Sequence, residues 1–159
     1  MRLGVLMLLA FAITAQTRPD FSGVWQLNLQ KSTLRSPAPK EILTRLQHRE
    51  PILTQTMLIV AADGGEQQLT FIYDTTGTES TNVAMAGGEG TSRAHWNGSE
   101  LVIDSVLRTP SRTFHFSDHW SLSPDGQTLT MAHRDDDLAG QIAISERASP
   151  DSVARFKRE

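Results

Sequence analysis

After Pro19 the chain alternates between apolar and polar residues with a period of two, which is typical of half-buried β-strands. The alternating segments are separated by turn sequences such as Asn97-Gly98 and Pro124-Asp125-Gly126, whose residues suit tight hairpin bends. The pattern predicts roughly eight to ten strands at the regular spacing of an all-β sandwich or barrel. We place them at 21–29, 42–50, 52–61, 67–74, 79–84, 93–96, 101–103, 113–123, 128–134 and 141–147.

The fold class that follows is all-β, in the form of an antiparallel up-and-down barrel. Short turns connect each predicted strand to the next, so a meander is simpler than a Greek key, and closing it into a barrel removes its exposed edges. No segment has a clear helical period, which excludes parallel βαβ folds. We expect the barrel domain to span residues 16–148, with a C-terminal tail over 149–159.

The first fifteen residues, 1–15, have the layout of a secretory signal peptide. Arg2 precedes an apolar run of about eleven residues. That run is shorter than the ~20 apolar residues that span a bilayer. We expect cleavage near Ala15, which gives a secreted or periplasmic protein with no stable membrane insertion afterwards; an uncleaved N-terminal anchor is the alternative. The chain has no cysteine, so the exported domain gains no disulfide stabilisation.

Charge and motifs argue against several function classes. A net charge of −3 with scattered basic residues gives no electrostatic reason to bind nucleic acid. The glycine-dense segment 85–90 has no Gly-Lys-Ser/Thr ending and no helical pattern after it, so it predicts a loop or a bulged strand end. Asp135-Asp136-Asp137 is typical of a solvated turn, and no nucleophile-elbow motif is present. We therefore expect neither catalytic residues nor a cofactor.

The start of the predicted domain, Phe21-Ser22-Gly23-Val24-Trp25, resembles the first strand of lipocalins and related calycin proteins such as fatty-acid-binding proteins, which begin with Gly-x-Trp. The resemblance implies a barrel closed at one end by the Trp25 indole, with Gly23 letting the chain turn beneath it. In lipocalins an arginine near the end of the barrel packs across this tryptophan. Arg147 is the best-placed counterpart, although its alternation puts it on the opposite face from Ile144 unless a bulge intervenes.

Two longer stretches are similar to a group of exported bacterial proteins of unknown function. These proteins share Phe-Ser-Gly-x-Trp-x-Leu-Asn…Lys-Ser, matched here at 21–32, and Trp-x-Leu-Ser-Pro-Asp-Gly-x-Thr-Leu-Thr, matched at 120–130. The second motif is mostly hairpin chemistry and specifies little about function. This resemblance implies a lipocalin-like barrel and identifies no ligand.

The apolar faces of the predicted strands would line or fill the barrel. An eight-stranded barrel can hold one small ligand, so our leading hypothesis is an exported protein that encloses a small, at least partly apolar molecule. A solid barrel that serves as a structural or interaction module is the second hypothesis, and a metal-dependent enzyme is the third. The candidate ligand-binding residues are Trp25, Leu27, Phe71, Tyr73, Trp96, Phe114, Phe116 and Trp120, and the candidate structural residues are Gly23 and Arg147.

Histidines are the other candidates for chemistry. His115 and His119 share one strand face, but their spacing of ~13 Å is too long for both to bind one metal ion. His95, His115 and His133 could lie on adjacent strands, and three such neighbours would suit zinc. The simpler interpretation is that the histidines face solvent, opposite the aromatic face, and we expect no metal site.

Overall fold

The structure, a computed structural model, describes residues 18–35, 37–83, 88–135 and 138–156. The predicted signal peptide, the first half of the glycine-dense segment (85–87) and two of the three consecutive aspartates (136 and 137) lie outside these residues. The described elements are β1 (Gly23–Leu27), β2 (Glu41–Arg49), β3 (Ile52–Val60), β4 (Glu66–Asp74), β5 (Glu79–Val83), β6 (Glu89–Asn97), β7 (Glu100–Arg108), β8 (Thr113–Leu122), β9 (Thr128–Asp135), β10 (Leu138–Arg147) and α1 (Pro150–Arg155).

The strands form one antiparallel sheet in the order β4-β3-β2-β1-β10-β9-β8-β7-β6-β5. Strands that follow each other in sequence pair with each other, with the exception of β4 and β5, and β1 pairs with β10. The two edge strands, β4 and β5, also lie side by side, so the sheet curls into a nearly closed barrel. The predicted all-β, antiparallel up-and-down barrel is confirmed.

Side chains replace the missing backbone ladder between β4 and β5. The Asn82 carboxamide accepts a hydrogen bond from the Ile72 N–H at 2.8 Å and donates one to the Ile72 carbonyl oxygen at 3.0 Å. The Ser80 hydroxyl oxygen accepts from the Asp74 N–H at 3.0 Å. Asn82 is buried. Its amide supplies hydrogen-bond partners to backbone groups at a strand edge that would otherwise lack them.

One end of the barrel, which we call the closed end, is filled by an aromatic core. Trp25 and Phe21 are fully buried there. The Phe21 ring stacks on Trp96 with centroids 5.8 Å apart and meets Trp120 edge-on at 6.1 Å. Aliphatic side chains of neighbouring strands complete this core: Leu46, Leu53, Leu101, Ile103 and Leu129. The closed end is where β1 begins and β10 ends.

The short helix α1 covers the outer face of the first strands. The Ser149 hydroxyl caps it by accepting from the Ser152 N–H, and Phe156, just after it, is buried against Leu43. The tail expected over 149–159 therefore contains a docked helical turn up to Phe156. A helix of six residues is too short to show an apolar period. Within the described residues no helix has the length and apolar character to cross a membrane.

Candidate functional site

The closed end is held by a contact between the first and last strands. Trp25 and Arg147 are opposite each other in the β1–β10 pairing. The Arg147 guanidinium carbon lies 3.9 Å from the centroid of the Trp25 ring, and Nη1 donates to the Ser22 carbonyl oxygen at 2.7 Å. Gly23 lies directly beneath this guanidinium with φ of 141°. Ile142 is 43% exposed on the outer face, so the isoleucine face of β10 points away from the interior and no bulge is needed to bring Arg147 to Trp25.

Between the closed end and the opposite end of the barrel, the interior encloses a cavity of about 510 Å³. This volume falls within the ~300–1,000 Å³ range of small-molecule sites. Alternation along the strands supplies its wall, because every second side chain of a barrel strand points inward. Much of the wall is apolar and includes Met57, Ile59, Phe71, Phe116, Met131 and Ala143.

The charged part of the cavity wall is a pair formed by Asp118 and His133. The two residues are opposite each other on β8 and β9, and His133 Nδ1 lies 2.8 Å from Asp118 Oδ1. His133 Nε2 is 3.8 Å from the Asp135 carboxylate. The hydrogen bond with Asp118 raises the pKa of His133; burial opposes this, the charges of Asp118 and Asp135 add to it, and Arg35 opposes it. The pair joins a proton donor and a carboxylate on one side of an otherwise apolar chamber.

Uncharged polar groups face the same cavity from other strands. The Tyr73 hydroxyl donates to Gln55 Oε1 at 3.3 Å, and the hydroxyl oxygens of Ser92 and Ser105 are 2.9 Å apart. Burial, and then the charge of Asp118, raise the pKa of Tyr73, so this phenol keeps its proton. The interior is therefore amphipathic, with hydrogen-bonding groups set into an apolar wall.

A segment that we call the strap, residues 28–35, connects the end of β1 toward β2 and borders the cavity. Thr33 exchanges two backbone hydrogen bonds with β10, and Leu34 contributes to the cavity wall. The Arg35 guanidinium forms an ion pair with the Asp135 carboxylate. The strap is thus attached to the last two strands next to the Asp118–His133 pair.

The structure brings four of the eight predicted ligand-binding residues to the cavity: Phe71, Tyr73, Phe116 and Trp120. Trp25 and Leu27 are buried without lining it, Trp25 as part of the closed-end core. The prediction that these two contact a ligand is not met by the geometry. Alternation along a strand fixes which face a residue occupies, but it does not fix the height of that residue along the barrel.

Trp96 and Phe114 are also displaced from the expected position. Trp96 lies at the closed end, where its Nε1 donates to Glu50 Oε1 at 2.8 Å. Phe114 lies near the start of β8, at the other end of the barrel, and is 36% exposed. The Arg112 guanidinium carbon is 4.7 Å from the Phe114 ring centroid, so this aromatic residue is covered by a charged side chain and does not line the cavity.

The histidines do not assemble a metal site. His95 and His115 are exposed, whereas His133 faces the cavity. In the part of the chain that the structure describes, no three His, Cys, Asp or Glu side chains form a group that could hold a metal ion. The expectation that all histidines face solvent is wrong for His133 and for His48, whose side chain is 4% exposed and whose Nδ1 accepts from the Phe21 N–H.

Asp118 is the site residue that the sequence reasoning missed. It lies between Phe116 and Trp120 on the same alternating face, in a sequence that places one carboxylate among inward aromatic residues. A charged residue at an inward position is uncommon in a core that has no functional demand on it. The inward position of Asp118 is therefore the feature of the sequence that could have identified it as a site residue.

A second concavity, of about 460 Å³, is bordered by Arg93, Asp104 and Arg134. It shares Val106 and Phe116 with the interior cavity, and its other lining side chains are polar or charged. Apolar lining with few polar groups is the usual composition of small-molecule sites. The interior cavity is therefore the candidate functional site.

Comparison with known proteins identifies relatives by fold and not by sequence. No protein-family model and no curated protein matches the chain. The structure of secretory abundant heat soluble protein 4 from Ramazzottius varieornatus matches with a TM-score of 0.63 and 12% identity, over 85% of this chain and 100% of that one. Zebrafish ileal bile acid-binding protein complexed with cholic acid matches with a TM-score of 0.54 and 15% identity, over 80% and 98%.

A third match is the fatty acid binding protein of Schistosoma mansoni in complex with arachidonic acid, with a TM-score of 0.54 and 12% identity, over 81% of this chain and 96% of that one. At these identities the likeness shows the fold alone. It agrees with the single antiparallel sheet that curls into a nearly closed barrel. The protein therefore has a lipocalin-like, antiparallel β-barrel fold.

Proposed function

We propose that this protein binds a small, at least partly apolar molecule inside its barrel. The observation that carries the proposal is the cavity of about 510 Å³, which combines an apolar wall with a few hydrogen-bonding side chains. The structures of similar fold that are named as bile acid-binding and fatty acid binding proteins support it. The hypothesis of a solid barrel is less consistent with an interior that is packed at the closed end only.

We also propose that the protein acts after export, in a secreted or periplasmic location. The signal-like residues 1–15 and the resemblance to exported bacterial proteins at 21–32 and 120–130 support this. Expression of the full chain with fractionation, followed by determination of the mature N-terminus, tests it. A mature protein that retains Arg2 in the cytoplasmic fraction would overturn the export proposal and leave the binding proposal untouched.

The cavity wall sets the expected dependence of affinity on ligand size. Each methylene group moved from water into an apolar site contributes about 0.8 kcal/mol, which is roughly fourfold in Kd. Affinity within a series of linear ligands should therefore rise with chain length until the cavity is full and then level off. A ligand held only on the outer surface would not show such a limit.

Two measurements on the purified mature domain test binding. The first is incubation with a lipid extract, followed by mass spectrometry of what remains bound after gel filtration. The second is titration with Nile red, an uncharged dye whose fluorescence rises in apolar surroundings. We expect a retained species in the first and saturable fluorescence in the second; the absence of both would overturn the proposal.

A matched pair of variants distinguishes the cavity from the outer surface. Ala143 lines the cavity on β10, and Ala132 on β9 is paired with the outward-facing Ile142. The Ala143→Phe variant should fill part of the cavity and weaken Nile red binding by about tenfold or more, a loss of ~1.4 kcal/mol. The Ala132→Phe variant adds the same ring outside the barrel and should bind like the unmodified protein. Equal binding by both variants would place the dye elsewhere.

A further inference from the structure

We infer that the ligand of this cavity carries a hydrogen-bond donor and no negative charge at its polar end, as an alcohol or an amine does, and that Asp118 receives this donor. The inference rests on the proposed function, because it specifies the chemistry of the molecule that the cavity encloses. It separates this protein from barrels that hold a carboxylate ligand.

The first argument is the charge of the cavity wall. The described residues that line it include Asp118 and His133 but no arginine and no lysine. Transfer of a carboxylate from water into an apolar chamber is costly unless a cation or several donors meet it. An uncharged hydroxyl or a cation opposite Asp118 does not carry that cost.

The second argument is the acceptor that Asp118 presents. Its Oδ1 is 2.8 Å from His133 Nδ1, and no described side chain donates a hydrogen bond to its second oxygen. The Asp118 side chain is 24% exposed and borders the cavity. An ionised carboxylate is an acceptor only, so a ligand group that meets this oxygen must supply the proton.

The third argument is the effect of Asp118 on the hydroxyl group of Tyr73, which lines the same cavity. Its hydroxyl proton is directed to Gln55 Oε1, so Tyr73 offers no free donor to a ligand anion. The charge of Asp118 contributes to raising the pKa of Tyr73, which means that a second negative charge at this position is disfavoured. A ligand carboxylate placed there would meet the same repulsion.

The cations that are paired with the carboxylates of Asp118 and Asp135 do not reverse this balance. Arg35 lies on the strap with 48% of its side chain exposed, and its guanidinium is paired with Asp135. His133 lies between the carboxylates of Asp118 and Asp135. Even with His133 protonated, the two cations and the two carboxylates sum to zero charge. The group therefore offers no excess positive charge to an anion.

The experiment compares three ligands with the same alkyl chain: dodecanol, dodecylamine and dodecanoic acid, each displacing Nile red from the unmodified protein. At about pH 8 the amine is protonated and the acid is ionised, given reference pKa values of ~10.4 and ~4.3 for such groups. We expect dodecanol or dodecylamine to bind about tenfold more tightly than dodecanoate. Tightest binding of the alcohol identifies an uncharged donor, and tightest binding of the amine identifies a cation.

Asp118→Asn is the matched variant, because the carboxamide keeps the shape of the carboxylate and removes its charge. It should weaken dodecylamine binding by about tenfold and strengthen dodecanoate binding, each compared with the Nile red affinity measured for the same variant. Arg35→Gln tests whether the strap arginine binds the ligand carboxylate at the edge of the cavity. We expect little change in the order of affinities for the three ligands. The exposed Arg112→Gln variant is its control and should behave in the same way.

The outcomes that overturn the inference are distinct from failure of the proposed function. If dodecanoate binds the unmodified protein as tightly as the other two ligands, the inference is wrong while the cavity remains a binding site. Loss of dodecanoate binding in Arg35→Gln would then assign the acid to the strap. If neither Nile red nor any of the three ligands binds, the proposed function itself fails. The order of the three ligand affinities on the unmodified protein tests the inference even if the Asp118→Asn variant does not fold.

Discussion

The Nη1 atom of Arg147 occupies the space in which a side chain on Gly23 would begin. Because Gly23 also has φ of 141°, a Gly23→Ala substitution combines backbone strain with displacement of the guanidinium from Trp25. We expect the variant to lose about 2–5 kcal/mol of unfolding free energy, as the sum of a conformational cost and an overpacking cost. Urea unfolding followed by tryptophan fluorescence measures it.

Gly77 provides the matched control for this prediction. It also has positive φ, 91°, but a Cβ there would meet nothing within 4 Å. Gly77→Ala should therefore carry only the conformational cost, about 1–2 kcal/mol. A Gly23→Ala variant that loses no more stability than Gly77→Ala would show that Arg147 moves aside without consequence. Combining Gly23→Ala with Arg147→Ala should recover part of the loss.

Trp25 should be the side chain whose removal most weakens the closed end. It is fully buried, and its Nε1 donates to the Phe21 carbonyl oxygen at 3.0 Å. Trp25→Ala should destabilise the domain by about 3–5 kcal/mol, as large core truncations do. Phe114→Ala removes an aromatic ring that is 36% exposed and should cost far less. Unchanged thermal melting of Trp25→Ala would show that the lipocalin-like interpretation of this segment is wrong.

Strand alternation was sufficient to predict the fold, but only four of the eight predicted ligand-binding residues line the cavity. The period of two assigns each side chain to the inner or outer face, so Phe71, Tyr73, Phe116 and Trp120 were predicted on the correct side. Position along the barrel depends on the register between strands, which pairs Trp25 with Arg147 at one end. The register joins strands that are far apart in sequence, so no single segment of the chain determines it.

Polar residues at inward positions are harder to predict than aromatic ones. The pattern of aromatic residues does not single out Asp118, and the sequence predicts that His133 faces solvent with the other histidines. Both expectations follow from the statistical rule that charged and polar side chains are exposed. That rule fails where two such groups form a hydrogen bond with each other across adjacent strands, as His133 Nδ1 and Asp118 Oδ1 do at 2.8 Å. Recognising the pair requires the β8–β9 register and not the sequence alone.

The Asn82 bridge across the β4–β5 gap should control local opening of the barrel. Asn82→Ala removes both the acceptor for the Ile72 N–H and the donor to the Ile72 carbonyl oxygen. Leaving buried backbone groups unpaired costs about 1–3 kcal/mol. We expect faster hydrogen exchange at the Ile72 amide and a comparable loss of unfolding free energy. Ser80→Ala, which removes only the acceptor for the Asp74 N–H, is the milder control. If the Ile72 amide exchanged in Asn82→Ala at the same rate as in the unmodified protein, the role of Asn82 as a bridge would be contradicted.

Stability should depend on pH through His133. The groups that face it are Asp118 and Asp135, which raise its pKa, and Arg35, which lowers it; the net direction is upward from 6.5. A group whose pKa is higher in the folded state than in the unfolded state stabilises the fold fully below the unfolded pKa. That contribution is lost as pH rises through the folded pKa.

The difference in unfolding free energy between the unmodified protein and His133→Gln should therefore be full below the unfolded histidine pKa of ~6.5 and shrink as pH rises through the raised pKa of His133 in the folded state. His115→Gln, on an exposed position of β8, should show no such trend. Asp118→Asn should remove most of the trend as well, because the hydrogen bond with Asp118 is the largest cause of the upward shift. If the His133 and His115 variants gave parallel pH profiles, the Asp118–His133 pair would carry no charge-assisted hydrogen bond in solution. The Asp118 carboxylate would then face the cavity with a neutral imidazole beside it, and its preference for a cationic ligand over a neutral one should be correspondingly stronger.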